Sequence, residues 1–236
     1  MAGIVLAIDT SGSFCSVALR DAGAVIHSRH SSGEGDHFEQ LPSLVQAVCA
    51  EAELSVRELA GILVGVGPGS FTGIRIGMSF AKGLAWATRI PCVGVCSFLG
   101  AAASYAAPGT CTGRITVVSD ARRSELFYGV YEAVAGVVSV VTEPLIVGVA
   151  EVMERAQQGG LHLCTQRDLV VPGLELEAAP QLARGILGAS QAIPASGKAE
   201  FCVGDIAGLA PCYIREVSAK TIQQRRLGLD SGMKPC

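Results

Sequence analysis

The chain has 236 residues, half of them hydrophobic and 17% charged, with a formal net charge of −3. That is apolar material for one large or two small soluble domains, and it excludes a globally basic nucleic-acid binder. Nine cysteines with no CxxC pair and no regular spacing exclude a disulfide framework and a zinc ribbon, so reduced thiols acting as small hydrophobes, in a cytoplasmic setting, are the expectation.

The N-terminus MAGIVLAIDTSGS lacks a basic start and its apolar run is cut by Asp9, so no signal peptide is expected. Residues 4–8 read as a buried strand, 9–13 as a polar turn, 15–19 as the second strand of a hairpin and 24–29 as a third strand. After the loop SSGEGDH comes a helix from Asp36 or Glu39 to Glu53. Phe38, Leu41, Leu44, Val45, Val48 and Cys49 form its apolar face, and Pro42 belongs in its first turn or at a kink. A short helical turn over 56–59 leads to a buried strand at 62–66.

The next stretch, GPGSFTGIRIGMSFAKGLAWATR, is the most informative in the chain. Gly67, Pro68 and Gly69 break the strand, Ser70 is placed to cap a helix, and no proline interrupts the following residues. Glycines at 73, 77 and 83 each cost that helix roughly 1 kcal/mol against alanine, so packing has to offset them. Gly73, Gly77, Ala81 and Ala85 recur every fourth residue and line one ridge. The ridge suits either a close contact with another helix of the same chain or a docking face for a second protein. Arg75, Lys82 and Arg89 recur every seventh residue; Lys82 and Arg89 read as a solvated stripe, and Arg75, one turn from the GPGS loop, as functional.

Residues 90–113 carry no charge, yet their prolines and glycines favour a buried strand at 92–96 and a small-residue helix at 97–107 over a membrane span. The texture changes to PGTCTG near 107–113, which sets the expected boundary between a lobe of residues 1–108 and a lobe of residues 109–217. The opening plan then recurs, with a strand at 115–119, a polar turn at 120–124, and strands at 126–131 and 137–141. Helices near 148–158 and 180–190, strands at 161–164 and 211–217, and a polar tail at 218–236 with Lys220, Arg225, Arg226 and Lys234 complete the chain.

Two strand-Asp-turn-strand units facing each other across a cleft are the device by which actin-like, Hsp70-like and sugar-kinase-like ATPases hold a nucleotide. Asp9, Thr10 and Ser11 in one half and Asp120 and Arg122 in the other occupy those positions here. The site reads as degenerate, because the second half offers only Val203-Gly204-Asp205 as an adenosine loop. GPGSFTGIR does not fit the P-loop register, and Thr72 stands where the third glycine of GxGxxG belongs.

IDTSGSFCSVAL (8–19), GPGSFTGIRIG (67–77), SDARRSELFYGVY (119–131) and PCYIRE (211–216) occur in this order. Together they make the chain resemble the TsaB (YeaZ) family of tRNA threonylcarbamoyladenosine biosynthesis proteins, over nearly its whole length. The resemblance implies an α/β fold of two ASKHA-type lobes, the second reduced. It implies a non-catalytic subunit that pairs with TsaD, the metal-bearing subunit that transfers the threonylcarbamoyl group. The acceptor is N6 of the adenosine 3′ of the anticodon in tRNAs reading ANN codons. TsaE, a P-loop ATPase, joins the complex, TsaC or a relative supplies threonylcarbamoyl-adenylate, and tRNA is reached through the complex.

The pairing contact is implied on the two first-lobe helices, which assigns Leu41, Leu44, Gly73, Arg75, Gly77, Ala81 and Ala85 to the interface. Gly67, Pro68, Gly69, Ser70 and Thr72 form the motif loop. No tightly bound cofactor is expected, and ATP or ADP is placed at the joint with TsaD. TsaD-like chains hold metal through HxxxH on the first long helix, whereas here Leu41 follows His37 four residues on, so no metal site is expected and the role of His37 stays open. Homodimerisation of the isolated chain and tRNA contact by the tail also stay open. A free-standing ASKHA phosphotransferase is the alternative reading, and a metallopeptidase would need an HExxH set that is absent.

Overall fold

The computed structural model describes residues 3–21, 24–31, 37–106, 112–156, 159–192 and 208–214. They form two mixed five-stranded sheets flanked by helices. In the first sheet β1 (Ile4–Asp9), β2 (Ser16–Asp21) and β3 (Ala24–His30) are antiparallel neighbours. β4 (Leu59–Gly65) and β5 (Cys92–Val95) run parallel beside β1, in the order β3-β2-β1-β4-β5. Helix α1 (His37–Glu51) crosses from β3 to β4 through one 3-10 turn (Val56–Glu58), and α2 (Phe71–Thr88) crosses from β4 to β5. Helices cover both faces of the central strands, which is why β1 reads as an unbroken apolar run rather than an alternating one.

The second sheet repeats the plan. β6 (Gly113–Arg122), β7 (Glu125–Val134) and β8 (Val137–Gly148) are antiparallel, and β9 (Leu161–Cys164) lies parallel to β6 with β10 (Glu177–Ala178) beyond it. The expected polar turn at 120–124 is tighter than its composition suggests. Asp120 stays within β6, and Arg122, Arg123 and Ser124 turn with positive φ of 67°, 59° and 59°. β8 runs on to Gly148, and β10, two residues long, gave no sequence signal. Of the final strand expected at 211–217, residues 211–214 are not in a strand, and 215–217, the tail 218–236, the candidate loop 203–205 and the helix start at Asp36 lie outside the described residues.

The helices depart from the division at residue 108. α3 (Ser97–Tyr105), which precedes that boundary, packs Phe98, Ala101 and Ala102 onto Ile115, Val117 and Tyr131 of the second sheet. α5 (Leu182–Ala192), which follows it, packs Ala183, Ile186 and Leu187 onto Val5, Ala7 and Ala18 of the first. The two helices meet back to back so closely that a Cβ on Gly185 would lie 1.7 Å from the Gly100 carbonyl oxygen. Residues 208–214 also return to the first lobe, where Leu209 is buried in its core and the Cys212 N–H donates to the Val66 carbonyl at 2.8 Å. The described residues after that boundary thus pack onto both sheets.

The uncharged stretch is β5 and α3, both largely buried, and no helix among the described residues is long and apolar enough to cross a membrane. Cys15, Cys49, Cys92 and Cys164 are free and buried. Burial pushes the Cys15 thiol up to about 12 and Cys92 to about 11, which makes them unreactive packing residues.

Candidate functional site

The turn after β1 is closed by its own neighbours. Asp9, 1% exposed, accepts hydrogen bonds at Oδ1 from the Ser11 N–H (2.8 Å) and Ser11 Oγ (2.7 Å), and at Oδ2 from Ser97 Oγ (2.6 Å). Gly65 passes so close that a Cβ there would lie 1.8 Å from Oδ2. Thr10 Oγ1 donates to the Gly73 carbonyl at 2.7 Å, while the Ser70 N–H donates to the Ser11 carbonyl at 2.7 Å. Opposite them Gly12 and Ser13 press on the segment after β9, where the Ser13 N–H donates to the Thr165 carbonyl and the Arg167 N–H to Ser13 Oγ.

The side chains of Asp9, Thr10 and Ser11 are engaged with one another, with Ser97 and with Gly73 inside the protein. Asp120 is tied to the segment that faces this turn, since Gln166 lies between Thr165 and Arg167, both of which bond Ser13. Arg122 pairs with Asp120 at 3.2 Å on the exposed hairpin tip, and the Asp120 N–H donates to Gln166 Oε1. Ser97 lies 88 residues from Asp9, and nothing beyond a serine at the start of a helix marks it in the sequence.

Burial dominates the titration of Asp9 and raises it above its ordinary value of 3.8, with the donors from Ser97 and Ser11 pulling the other way. Between those two values the native state binds more protons than the unfolded chain, so the stability contributed by Asp9 falls as pH rises through that window. Urea midpoints measured from about pH 4 to about pH 8 are expected to show this decline, and Asp9→Asn is expected to remove that part of the slope.

The GPGS loop serves the same junction. Ser70 Oγ accepts the Gly73 N–H at 3.1 Å and caps α2. Gly69 lies against Ser11, where a Cβ would come 2.3 Å from the Ser11 carbonyl oxygen, and Gly67 exchanges hydrogen bonds with Ser97. Pro68 sits between these glycines, and only Thr72 of the motif loop faces solvent.

The small-residue ridge of α2 points into its own lobe. Gly73, Gly77, Ala81 and Ala85 are buried. Cβ atoms on Gly73 and Gly77 would lie 2.0 Å from the Thr10 carbonyl oxygen and 2.3 Å from Thr10 Oγ1. Of the two expectations for the ridge neither holds as stated, because the close neighbour is the end of β1 rather than another helix or a second protein. These four residues are therefore removed from the candidate interface, as is most of Leu41, which is 1% exposed. Leu44 is half-buried against the same core.

What α1 and α2 leave open is an apolar groove between them of about 710 Å³. Phe38, Pro42, Phe71, Ile76 and Phe80 line it, with Thr72, Ser79 and Arg75 among them and the edge of Leu41 at its floor. Phe38 is 70% exposed and Phe71 47%, and Trp86, at 79%, extends the apolar character along α2. Phe38 belongs by spacing to the apolar face of α1, yet it stands exposed at the start of the helix. Arg75 Cζ lies over the Phe71 ring, 3.7 Å from its centre, and Nε donates to Tyr213 Oη at 2.9 Å. A groove rimmed by exposed aromatic rings on two rigid helices is suited to receive an amphipathic helix.

His37, at the start of α1, lies with Nε2 3.0 Å from the Gly12 carbonyl oxygen. His27 pairs with Glu51 and His30 stands edge-on to Phe14. Among the described residues no three His, Cys, Asp or Glu side chains are grouped to hold a metal.

The family model for tRNA N6-adenosine threonylcarbamoyltransferase, TsaD, matches residues 31–222. The tRNA threonylcarbamoyladenosine biosynthesis protein TsaB of Bacillus subtilis is 29% identical over 94% of this chain and 99% of its own length. TsaB of Escherichia coli is 33% identical over 54% of either chain. Among solved structures, YeaZ from Pseudomonas aeruginosa superposes with a TM-score of 0.70 at 24% identity, covering 90% of this chain and 100% of its own, a likeness of architecture.

Proposed function

The chain belongs to the tRNA N6-adenosine threonylcarbamoyltransferase (TsaD) family, and from that premise we propose that it acts as its TsaB relatives are named to act, in forming threonylcarbamoyladenosine in tRNA. Its part is that of a non-catalytic subunit pairing with a TsaD protein, which transfers the threonylcarbamoyl group to N6 of the adenosine 3′ of the anticodon in tRNAs reading ANN codons. The observation that carries this reading is the exposed aromatic groove between α1 and α2. The occupied carboxylate of Asp9 supports it from the other side, since its lone pairs are engaged by Ser11 and Ser97 and not directed at a phosphate or a metal. In this reading ATP or ADP sits at the joint with TsaD rather than in the chain's own cleft, TsaE joins as the ATPase, and tRNA is met through the assembled complex.

Reconstitution tests it. With TsaD, TsaE and a source of threonylcarbamoyl-adenylate, nucleoside analysis of the tRNA is expected to show the modification when this chain is present and its near-complete loss when it is left out. Equal modification without the chain overturns the proposal.

A further inference from the structure

We propose that Arg75 is the specificity-determining contact of the α1/α2 groove and that it reads a carboxylate on the partner's helix; the inference rests on that groove being the docking site. Arg75 is the one charged residue among those lining the groove, and among the described residues it has no carboxylate partner. Its guanidinium is held in place. It lies 3.7 Å above the Phe71 ring and 5.9 Å from the Tyr213 ring, the two rings are 5.4 Å apart, and Nε donates to Tyr213 Oη.

Tyr213 is itself anchored, because Leu209 is buried in the first-lobe core and the Cys212 N–H donates to the Val66 carbonyl. The returning segment 208–214 thus props the guanidinium from behind. With Nε engaged, the two terminal nitrogens are left to meet a ligand.

Covering this groove with an apolar surface strips water from a cation, which is strongly unfavourable unless an acceptor arrives with it. A carboxylate fits best, since a guanidinium presents two parallel N–H donors to its two oxygens. Stacking and the Tyr213 bond have already restricted the side chain, so little ordering remains to oppose binding. The occupant is accordingly an amphipathic helix whose apolar stripe fills the space between Phe38 and Phe80 and whose Asp or Glu lies over the first turn of α2.

The test is the affinity of the full chain for its TsaD partner at low and high salt, for wild type, Phe38→Asp, Arg75→Gln and Tyr213→Phe, each checked for an unchanged melting curve. Arg75→Gln is expected to weaken binding by about thirtyfold or more at low salt. Tyr213→Phe, which keeps the ring and loses the hydroxyl, is expected to weaken it by less. The gap between wild type and Arg75→Gln is expected to narrow at high salt, as screening weakens a charged contact. If Phe38→Asp abolishes binding while Arg75→Gln stays within about threefold of wild type, the role of Arg75 is overturned and the docking reading stands. A loss in Arg75→Gln of the same size at both salt concentrations overturns the carboxylate. Unchanged binding of Phe38→Asp overturns the docking reading itself.

Discussion

Gly77→Leu is expected to destabilise the first lobe severely. Gly77 is buried on the inner face of α2, and the first side-chain carbon of any replacement would lie 2.3 Å from Thr10 Oγ1. Thr10 is not free to turn away, because that hydroxyl donates to the Gly73 carbonyl, and Gly73 in turn touches the Thr10 backbone. A leucine must therefore push α2 off β1, and that breaks the Thr10 bond and opens the packing of Ile74, Met78 and Ala81 against Leu6 and Ile8. Overpacking of this kind, with loss of a buried hydrogen bond, belongs to the large class of effects, about 4 kcal/mol or more. For a chain of this size that lowers the melting temperature by about 8–16 °C. Calorimetry checks it, and a variant melting within about 2 °C of wild type would show that α2 is not seated on β1 as described.

The same helix marks the limit of what the residues alone disclose. The i, i+4 recurrence of Gly73, Gly77, Ala81 and Ala85 correctly announces a close approach of backbones, and Ser70 announces the cap. Periodicity does not say which neighbour comes close, since a strand end, a helix and a foreign chain all call for small side chains. The strand-turn-strand openings of both halves were legible for a similar reason: they are local, and their alternation with polar turns is written in adjacent residues. Contacts between distant residues were not. Ser97 reaches Asp9, Ala183 meets Ser16 Oγ, and Tyr213 meets Arg75, each across a separation that leaves no pattern in composition. A strand-ending Asp such as Asp9 has the same appearance in sequence whether its acceptors face a ligand or two serines. An apolar residue in the first turn of an amphipathic helix, such as Phe38, fits the stripe by spacing, while its exposure depends on what lies over the helix start.

Phe38→Asp is expected to reverse the pattern of Gly77→Leu, leaving the fold in place and removing the pairing. At 70% exposure most of the Phe38 ring lies outside the lobe's own core, so its replacement is expected to cost far less stability than Gly77→Leu, about 1 kcal/mol or less. An aspartate in the first turn of α1 also sits favourably with the helix dipole. In the complex the same carboxylate would compete with the partner's for Arg75 in a groove from which water is expelled, and the ring's contact area would be lost. Aromatic anchor residues in an interface are worth about 2–4 kcal/mol, which corresponds to roughly 30- to 1,000-fold in affinity. Val141→Asp is the matched control, since Val141 is also an exposed apolar residue, at 54%, but lies on β8 of the other lobe. Co-purification with TsaD and the level of modified tRNA nucleoside are expected to fall together in Phe38→Asp and to stay at wild-type values in Val141→Asp. The reverse result, with pairing lost in the β8 variant and kept in the α1 variant, would move the docking surface from the helices to the edge of the second sheet.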